Sequence, residues 1–214
     1  MKNLSEIKNL IFDIDGTIWD STSNVALAFN EIIKSNPSTQ DYPPLTADIL
    51  KKEFGKPLPD IGRSLFPALP EDEMLELLDR MMAHENEYLK QHQFEAYEGL
   101  KETFIQLSRA HNLFIVSNCQ AGYIELCIEN LGLEPYITDH LCPGDSNLLK
   151  ADNIRLIIER NHLDAAAYIG DIAADQKASK EAGVPFIWAS YGFGHVEGAD
   201  AIIKKPSDLL TIFN

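Results

Sequence analysis

The sequence predicts an α/β protein with a doubly wound, Rossmann-like parallel sheet as its core and an inserted α-helical domain. Two observations predict this fold class. Short apolar, β-branched runs alternate with segments of helical spacing, which is typical of a parallel sheet. A long helical stretch separates the first strand from the next helix of this pattern, although such connections usually take about 2 to 6 residues. We therefore assign residues 1–19 and 98–214 to the core and residues 20–97 to the insertion.

The core elements follow from hydrophobic runs and their stop signals. Strands are expected at Asn9 to Phe12, Leu113 to Val116, Ile137 to Cys142, Ala167 to Ile169, Val184 to Ala189 and Ala201 to Ile203. Helices are expected at Leu100 to Ala110, Ala121 to Asn130, Lys150 to Arg160, Ala173 to Ala182 and Pro206 to Phe213. Gly132 and Gly183 follow two of these helices and favour a stop there.

The inserted domain is predicted to be a small helical bundle. Helices are expected at Val25 to Lys34, with Ser23 or Asn24 as its N-cap, at Thr46 to Phe54, and at Glu71 to His92. The last of these is amphipathic, and its apolar side carries Met74, Leu77, Leu78, Met81 and Leu89. Several prolines separate the helices, namely Pro43, Pro44, Pro57, Pro59, Pro67 and Pro70.

The amino-acid composition and net charge limit the classes of function that this chain can have. The chain has 214 residues, 45% of them hydrophobic, which suits a real core. Its net charge of −15 disfavours nucleic acid and anionic membranes as partners. The segment from Met1 to Glu6 has no apolar signal core, and the three cysteines show no C-x-x-C spacing. We therefore expect a cytoplasmic protein without disulfides or zinc, present as a monomer or weak homodimer.

The most informative stretch is Asp13-Ile14-Asp15-Gly16-Thr17, at the end of the first strand. Side chains two apart in a strand share one face, so Asp13 and Asp15 are expected side by side. Such a pair is tolerated if a cation lies between the carboxylates, if one of them holds a proton, or if the pair lies at a solvent-accessible entrance. An active site meets all three conditions. The alternative is an Asp-rich turn that only caps the following helix.

Two further strand ends carry polar residues, Ser117-Asn118 and Gly170-Asp171. Ligands of open parallel sheets bind outside the carboxyl ends of the strands, so these residues point to one crevice. The backbone N–H groups of Asn118 and Cys119 are expected at a helix N-terminus, which attracts phosphate. Serine after a strand is also a common helix cap, and this alternative stays open for Ser117.

Lys150 and the acids near Asp171 complete the pattern. Lys150 opens a helix, where the dipole disfavours a lysine, so it is either held there for another purpose or simply solvated. Asp171 and Asp175 lie four apart on a first helical turn, which predicts neighbouring surface positions. Acidic side chains at a helix N-terminus also interact favourably with the helix dipole, so a purely structural role is the alternative. Placed beside Asp13 and Asp15, they would form an oxygen-rich pocket suited to Mg²⁺.

In order and spacing, four groups of residues resemble the motifs of the haloacid dehalogenase superfamily. They are Asp13-Ile14-Asp15-Gly16-Thr17, Ser117-Asn118, Lys150 and Gly170-Asp171-x-x-x-Asp175. The resemblance spans nearly the whole chain and implies that the inserted helices are the family's helical cap. The stretch from Gly170 to Gly183 and the later Tyr191-Gly192-Phe193-Gly194 look most like the phosphoglycolate phosphatase branch.

The resemblance also implies roles for these residues. Asp13 would be the nucleophile that forms an aspartyl-phosphate. Asp15 would be the general acid that protonates the leaving oxygen and then the general base that activates water. Mg²⁺ would be held by Asp13, the Asp15 backbone carbonyl and Asp171. Phosphate oxygens would be held by Ser117, Asn118 and Lys150. Asp175 would either stabilise the metal ligands without binding the metal itself or hold Lys150 in place.

Two departures from the family pattern are visible. Ser117 stands where many relatives have threonine, and Ala151 replaces the proline that commonly follows the lysine. Asp15 argues against true dehalogenases, whose halide leaving group needs no proton. Thr17 and Gly170-Asp171 fit phosphatases better than mutases. We expect a Mg²⁺-dependent hydrolase of a small phosphorylated metabolite. The alternatives are β-phosphoglucomutase-like transfer and a non-catalytic binding protein that keeps the fold.

Substrate selection is expected to come from the cap, between Phe54 and Arg63, with hinges near Asp20 and Tyr97. Lys52, Lys56 and Arg63 are candidates for contact with a second anionic group of the substrate. The alternative for each is an ordinary solvated side chain.

Overall fold

A computed structural model describes residues 4–213, so Asn214 and residues 1–3, on which the interpretation of the N-terminus partly rests, lie outside the described part. The strands are β1 (Asn9–Phe12), β2 (Asn112–Val116), β3 (Ile137–Leu141), β4 (Ala166–Gly170), β5 (Phe186–Ala189) and β6 (Ala201–Ile203). The helices are α1 (Thr22–Ser35), α2 (Ala47–Glu53), α3 (Leu58–Leu65), α4 (Glu71–Lys90), α5 (Leu100–Leu107), α6 (Tyr123–Leu131), α7 (Pro143–Ser146), α8 (Lys150–Arg160), α9 (Ala173–Ala182) and α10 (Leu209–Ile212).

Within residues 4–213 the strands form one six-stranded sheet in the order β3-β2-β1-β4-β5-β6. Each neighbouring pair is parallel. Strand β1 is central, and its Leu10 pairs with Leu113 of β2 and with Ala167 of β4. All four residues of β1 are buried, as expected for a strand covered on both faces. The predicted α/β class with a parallel sheet is confirmed.

The chain divides into two compact units. The first combines the chain up to Asp20 with the chain from Phe94 onward, and the second spans Ser21–Gln93. In the first unit, apolar side chains of the central strands pack with those of α8 and α9. This core cluster includes Ile11, Phe114, Leu141, Ile154, Ile157, Tyr168 and Phe186. It fixes the strand ends that carry the polar residues discussed below.

The second unit is a bundle of α1 to α4. The predicted apolar side of α4 is buried, and Met74, Leu78 and Met81 pack in the core of this unit. Helix α1 begins at Thr22, earlier than predicted, because Ser21 and Thr22 are both fully buried and continue the packed helix.

The sequence interpretation missed α3 because it treated Pro57 and Pro59 only as separators. Pro57 is the N-cap and Pro59 lies in the first turn, where proline favours helix initiation. Gly62 of α3 leaves no room for a Cβ against Met74 and Leu78, so the two helices pack closely.

Several predicted boundaries in the first unit were wrong. Helix α5 ends at Leu107 and not at Ala110. Helix α6 begins at Tyr123 and not at Ala121, because Gly122 adopts a left-handed conformation with φ 84°. Strand β5 begins at Phe186, since the N–H of Val184 still bonds to Ser179 in the stop of α9. The expected C-terminal helix is a 3-10 turn, Pro206–Asp208, followed by the short α10. Within residues 4–213, every helix is too short or too polar to cross a bilayer.

Candidate active site

Three adjacent strands end in the predicted polar residues. Asp13 follows β1, Ser117 follows β2 and Asp171 follows β4. Because β1 lies between β2 and β4, these strand ends share one edge of the sheet. The N–H of Asp13 donates to the carbonyl of Ile169 at 2.9 Å, which extends the β1–β4 pairing to the start of the site.

A group of three buried carboxylates forms the centre of this edge. Asp13, Asp171 and Asp175 each offer an oxygen, and these oxygens lie within 4.8 Å of one another. All three side chains are buried. Oδ1 of Asp13 has no hydrogen-bond partner among the described residues. A buried acceptor without a donor is costly, so this atom fits a bound cation.

Lys150, at the start of α8, is the positive charge in this group. Its Nζ lies 3.1 Å from Oδ2 of Asp13 and donates to Oδ1 of Asp175 at 2.7 Å. Burial by itself lowers the pKa of Lys150, but the charges and hydrogen bonds of the two carboxylates outweigh it and raise the pKa above its ordinary value. The lysine therefore stays charged and holds the two acids in place.

The acids outnumber this one positive charge, and their pKa values reflect it. Burial raises the pKa of Asp13 to about 6, with Asp175 adding to the rise and Lys150 and Ser117 opposing it. Burial, followed by the charges of Asp175 and Asp13, raises the pKa of Asp171 to about 8. The group has three acids against one lysine, and its potential ligand atoms are all oxygens. Both properties suit a hard divalent cation, so the residues present fit the metal that the family resemblance implies.

The segment after β5 holds Asp171 from the other side. The backbone N–H of Phe193 donates to Oδ2 of Asp171 at 2.7 Å, and Nε1 of Trp188 donates to the Asp171 carbonyl at 3.0 Å. A Cβ added at Gly192 would overlap Asp171 and the carbonyl of Gly16. Sequence analysis missed Trp188 and treated residues 191–194 only as a branch resemblance. The glycines on either side of Phe193 were the available signal of a close backbone approach.

Asp175 has two roles, one for each oxygen. Oδ1 accepts from Lys150, whereas Oδ2 accepts from the backbone N–H groups of Asp171 and Ile172 at 3.1 and 3.2 Å. It thereby caps the N-terminus of α9. The prediction that Asp171 and Asp175 occupy surface positions was wrong, because the α9 start lies under the 188–193 segment and both side chains are buried.

Asp15 has other hydrogen-bond partners than Asp13, and the strand on which the shared-face prediction was based does not include either acid. Strand β1 ends at Phe12, so neither acid lies in a strand and the two-residue repeat does not apply. Oδ1 of Asp15 accepts from Nε1 of Trp19 at 3.1 Å and from the hydroxyl of Tyr123 at 2.9 Å. Sequence analysis missed both aromatic residues, since their spacing gave no sign of a polar contact.

Ser117 lies beside Asp13, and its hydroxyl group lowers the pKa of that carboxyl. It is buried, and Asn118 is partly exposed on the following loop. The predicted placement of the Asn118 and Cys119 N–H groups at a helix N-terminus was wrong. Helix α6 starts only at Tyr123, because the left-handed Gly122 precedes its first turn.

In the second unit, the candidate specificity residues Lys56 and Arg63 form ion pairs with local acids. Lys56 lies 2.6 Å from Glu53, and Arg63 bonds to Glu71 at 2.5 Å and to Asp60 at 2.8 Å. The side chains of Lys56 and Arg63 are 42% and 53% exposed. Both side chains therefore remain partly exposed to solvent while they pair with these acids.

Known proteins share the sequence pattern and the fold. Residues 10–189 match the family described as haloacid dehalogenase-like hydrolase. A phosphoglycolate phosphatase of Vibrio parahaemolyticus is 27% identical, over 97% of this chain and 96% of the relative. One of Rhodobacter capsulatus is 26% identical, over 86% of this chain and 84% of its own length. A solved haloacid dehalogenase-like hydrolase of Streptococcus pneumoniae aligns with a TM-score of 0.84 at 22% identity, covering 97% of this chain and 99% of that structure. The chain belongs to the haloacid dehalogenase-like hydrolase family.

Proposed function

We propose that this chain is a phosphatase that hydrolyses a small phosphomonoester through an aspartyl-phosphate on Asp13. The observation that carries the proposal is the buried group of Asp13, Asp171 and Asp175 around the charged Lys150, with Oδ1 of Asp13 unpaired among the described residues. Such an arrangement holds a carboxylate nucleophile next to positive charge that can neutralise a phosphoryl group.

Asp13 attacks phosphorus with a carboxylate oxygen, and the bond from phosphorus to the leaving oxygen breaks. Asp15 gives its proton to that leaving oxygen. In the second half-reaction Asp15 takes a proton from water, which attacks phosphorus and releases Asp13 and inorganic phosphate. Ser117, Asn118 and Lys150 hold the remaining phosphate oxygens through both steps.

Mg²⁺ is the proposed metal, held by Asp13, the Asp15 carbonyl and Asp171. Once bound, it would offset the repulsion between the attacking carboxylate and the phosphate and neutralise charge on the transferring group. Asp175 keeps Lys150 and the backbone of Asp171 in place, as its hydrogen bonds indicate.

Phosphoglycolate is the first substrate to test, because the similar proteins of Vibrio parahaemolyticus and Rhodobacter capsulatus carry the name phosphoglycolate phosphatase. The exposed Lys56 and Arg63 are proposed to recognise a second anionic group such as the carboxylate of that substrate. No nucleic acid or membrane partner is proposed, since the net charge of −15 opposes both.

The test is a panel of phosphomonoesters, including phosphoglycolate and p-nitrophenyl phosphate, assayed for phosphate release with Mg²⁺ and with a chelator. We expect release that requires Mg²⁺ and is abolished in Asp13→Asn. Asp152→Asn, at an exposed acid of α8, is the matched control and should keep full activity. Isomer formation without phosphate release would indicate a mutase, and an inert wild type across the panel would indicate a binding role.

A further inference from the structure

One carboxylate oxygen of Asp15 accepts hydrogen bonds from two aromatic side chains that do not belong to the four motifs. Trp19 and Tyr123 are 1% and 2% exposed, and both donate to the same atom, Oδ1 of Asp15. Their rings contact each other edge to face, with centroids 5.8 Å apart, and Phe94 packs against Trp19 at 5.2 Å. We name Trp19, Phe94 and Tyr123 the aromatic cradle.

The backbone fixes the cradle at several points. The carbonyl of Trp19 accepts from the N–H of Gly16 at 2.9 Å, inside the turn that contains Asp15. Trp19 also forms an antiparallel bridge with Ala96. The N–H of Phe94 donates to Asn130 at 2.9 Å, so this ring is tied to α6, the helix that carries Tyr123. Both donors to Asp15 are thus held by packing and by hydrogen bonds.

A buried indole N–H or phenol O–H needs an acceptor, and here both use one carboxylate oxygen. Two donors on Oδ1 fix the plane of the carboxylate and concentrate negative charge on that oxygen. A proton on the Asp15 carboxyl therefore resides on Oδ2. A general acid must be held in the geometry of proton transfer to contribute its full effect, which amounts to about 10² to 10⁴ in rate.

We propose that Trp19 and Tyr123 are positioning residues that orient Asp15 so that Oδ2 delivers the proton to the leaving oxygen. The inference rests on the proposed phosphatase function and deepens it. The proton moves from Oδ2 to the oxygen that leaves phosphorus, and Asp15 becomes a carboxylate held by the two donors. Neither aromatic residue touches the reacting atoms in this step.

The test compares leaving groups. A poor leaving group such as an alkoxide needs the proton, whereas p-nitrophenolate leaves without it. We expect Tyr123→Phe and Trp19→Phe to lower kcat/KM about tenfold more for alkyl phosphates than for p-nitrophenyl phosphate, the loss expected for one hydrogen bond to a charged group. Asp15→Asn should show the same selectivity with a larger loss. The quantity kcat/KM reports the step in which the leaving group departs.

Phe94→Leu is the matched control, because it removes a cradle ring that packs on Trp19 but has no side-chain donor. It should lower kcat/KM equally for aryl and alkyl phosphates. Circular dichroism and thermal unfolding confirm that each variant folds, and Tyr123→Phe, which removes a single oxygen, remains informative if Trp19→Phe does not fold.

The outcomes separate the two proposals. An inactive wild type overturns both the phosphatase function and the positioning role. An active wild type, with Asp15→Asn selective for alkyl phosphates but Tyr123→Phe and Trp19→Phe no more selective than Phe94→Leu, overturns the positioning role alone. Selectivity in both donor variants supports it.

Discussion

Gly16 and Asp171 are in direct contact across the site, and a Cβ added at Gly16 would overlap the Asp171 carboxylate. Gly16 also adopts φ 81°, a conformation that side chains disfavour. The glycine after the two acids is therefore required twice, once by the turn and once by the carboxylate that packs against it.

Gly16→Ala should cost far more activity than stability. The turn strain amounts to about 1 kcal/mol, whereas displacement of Asp171 by about 1 Å is expected to lower kcat by roughly 100-fold. Gly183→Ala is the matched control, because Gly183 adopts φ 79° with nothing within 4 Å of the added Cβ. Urea unfolding and phosphate release would be measured for both variants. Equal activity in the two would show that the contact with Asp171 is unimportant.

Lys150→Met should destabilise the first unit. The substitution leaves the buried Asp13 and Asp175 without their positive partner, and removing one partner of a buried ion pair costs about 3 kcal/mol or more. Lys177→Met on α9 is the control, since Lys177 is 78% exposed and its nearest acid oxygen, on Glu181, is 3.9 Å away. Chemical denaturation at neutral pH measures both. A loss no larger than that of the control would contradict the proposed structural role of Lys150.

Substitution of Lys150 and substitution of the cap residues Lys56 and Arg63 should have different effects on KM. Lys150→Ala is expected to raise KM for every phosphomonoester, because the proposed function places Lys150 on the phosphate that all of them share. Lys56→Ala or Arg63→Ala should raise KM only for substrates with a second anionic group. Lys90→Ala, at another exposed cap lysine with a local acid partner, is the control. Uniform effects of the cap variants would show that these side chains have only a structural role.

His111 should make stability depend on pH. Burial lowers its pKa, and Nε2 has no hydrogen-bond partner within residues 4–213. The unfolded chain therefore binds a proton near pH 6.5 that the folded chain does not, so the free energy of unfolding decreases as pH falls through that value. His111→Gln removes this proton uptake.

Urea midpoints at several pH values between about 7.5 and 5.5 would be compared for wild type and His111→Gln. Other titrating groups contribute equally to both proteins, so the difference between the two curves reports His111. We expect wild type to lose stability faster on acidification, and parallel curves would refute the prediction.

The sequence by itself determined the class of the core. Short apolar, β-branched runs identified the strands, and glycine stops located the ends of α6 and α9, because these features depend on neighbouring residues alone. It also placed acids and hydroxyls at strand ends, since parallel strands bring their carboxyl ends to one edge of the sheet.

Only the tertiary structure decided which partner each of these residues has. Lys150 contacts Asp13 and Asp175 across the sheet edge, Phe193 bonds to Asp171, and Trp19 with Tyr123 bonds to Asp15. These contacts join residues that are mostly far apart in the chain, and their side-chain directions depend on loop conformation and close packing. A local sequence pattern carries no information about such distances. It therefore could not show that Asp13 bonds to Lys150 while Asp15 bonds to Trp19 and Tyr123.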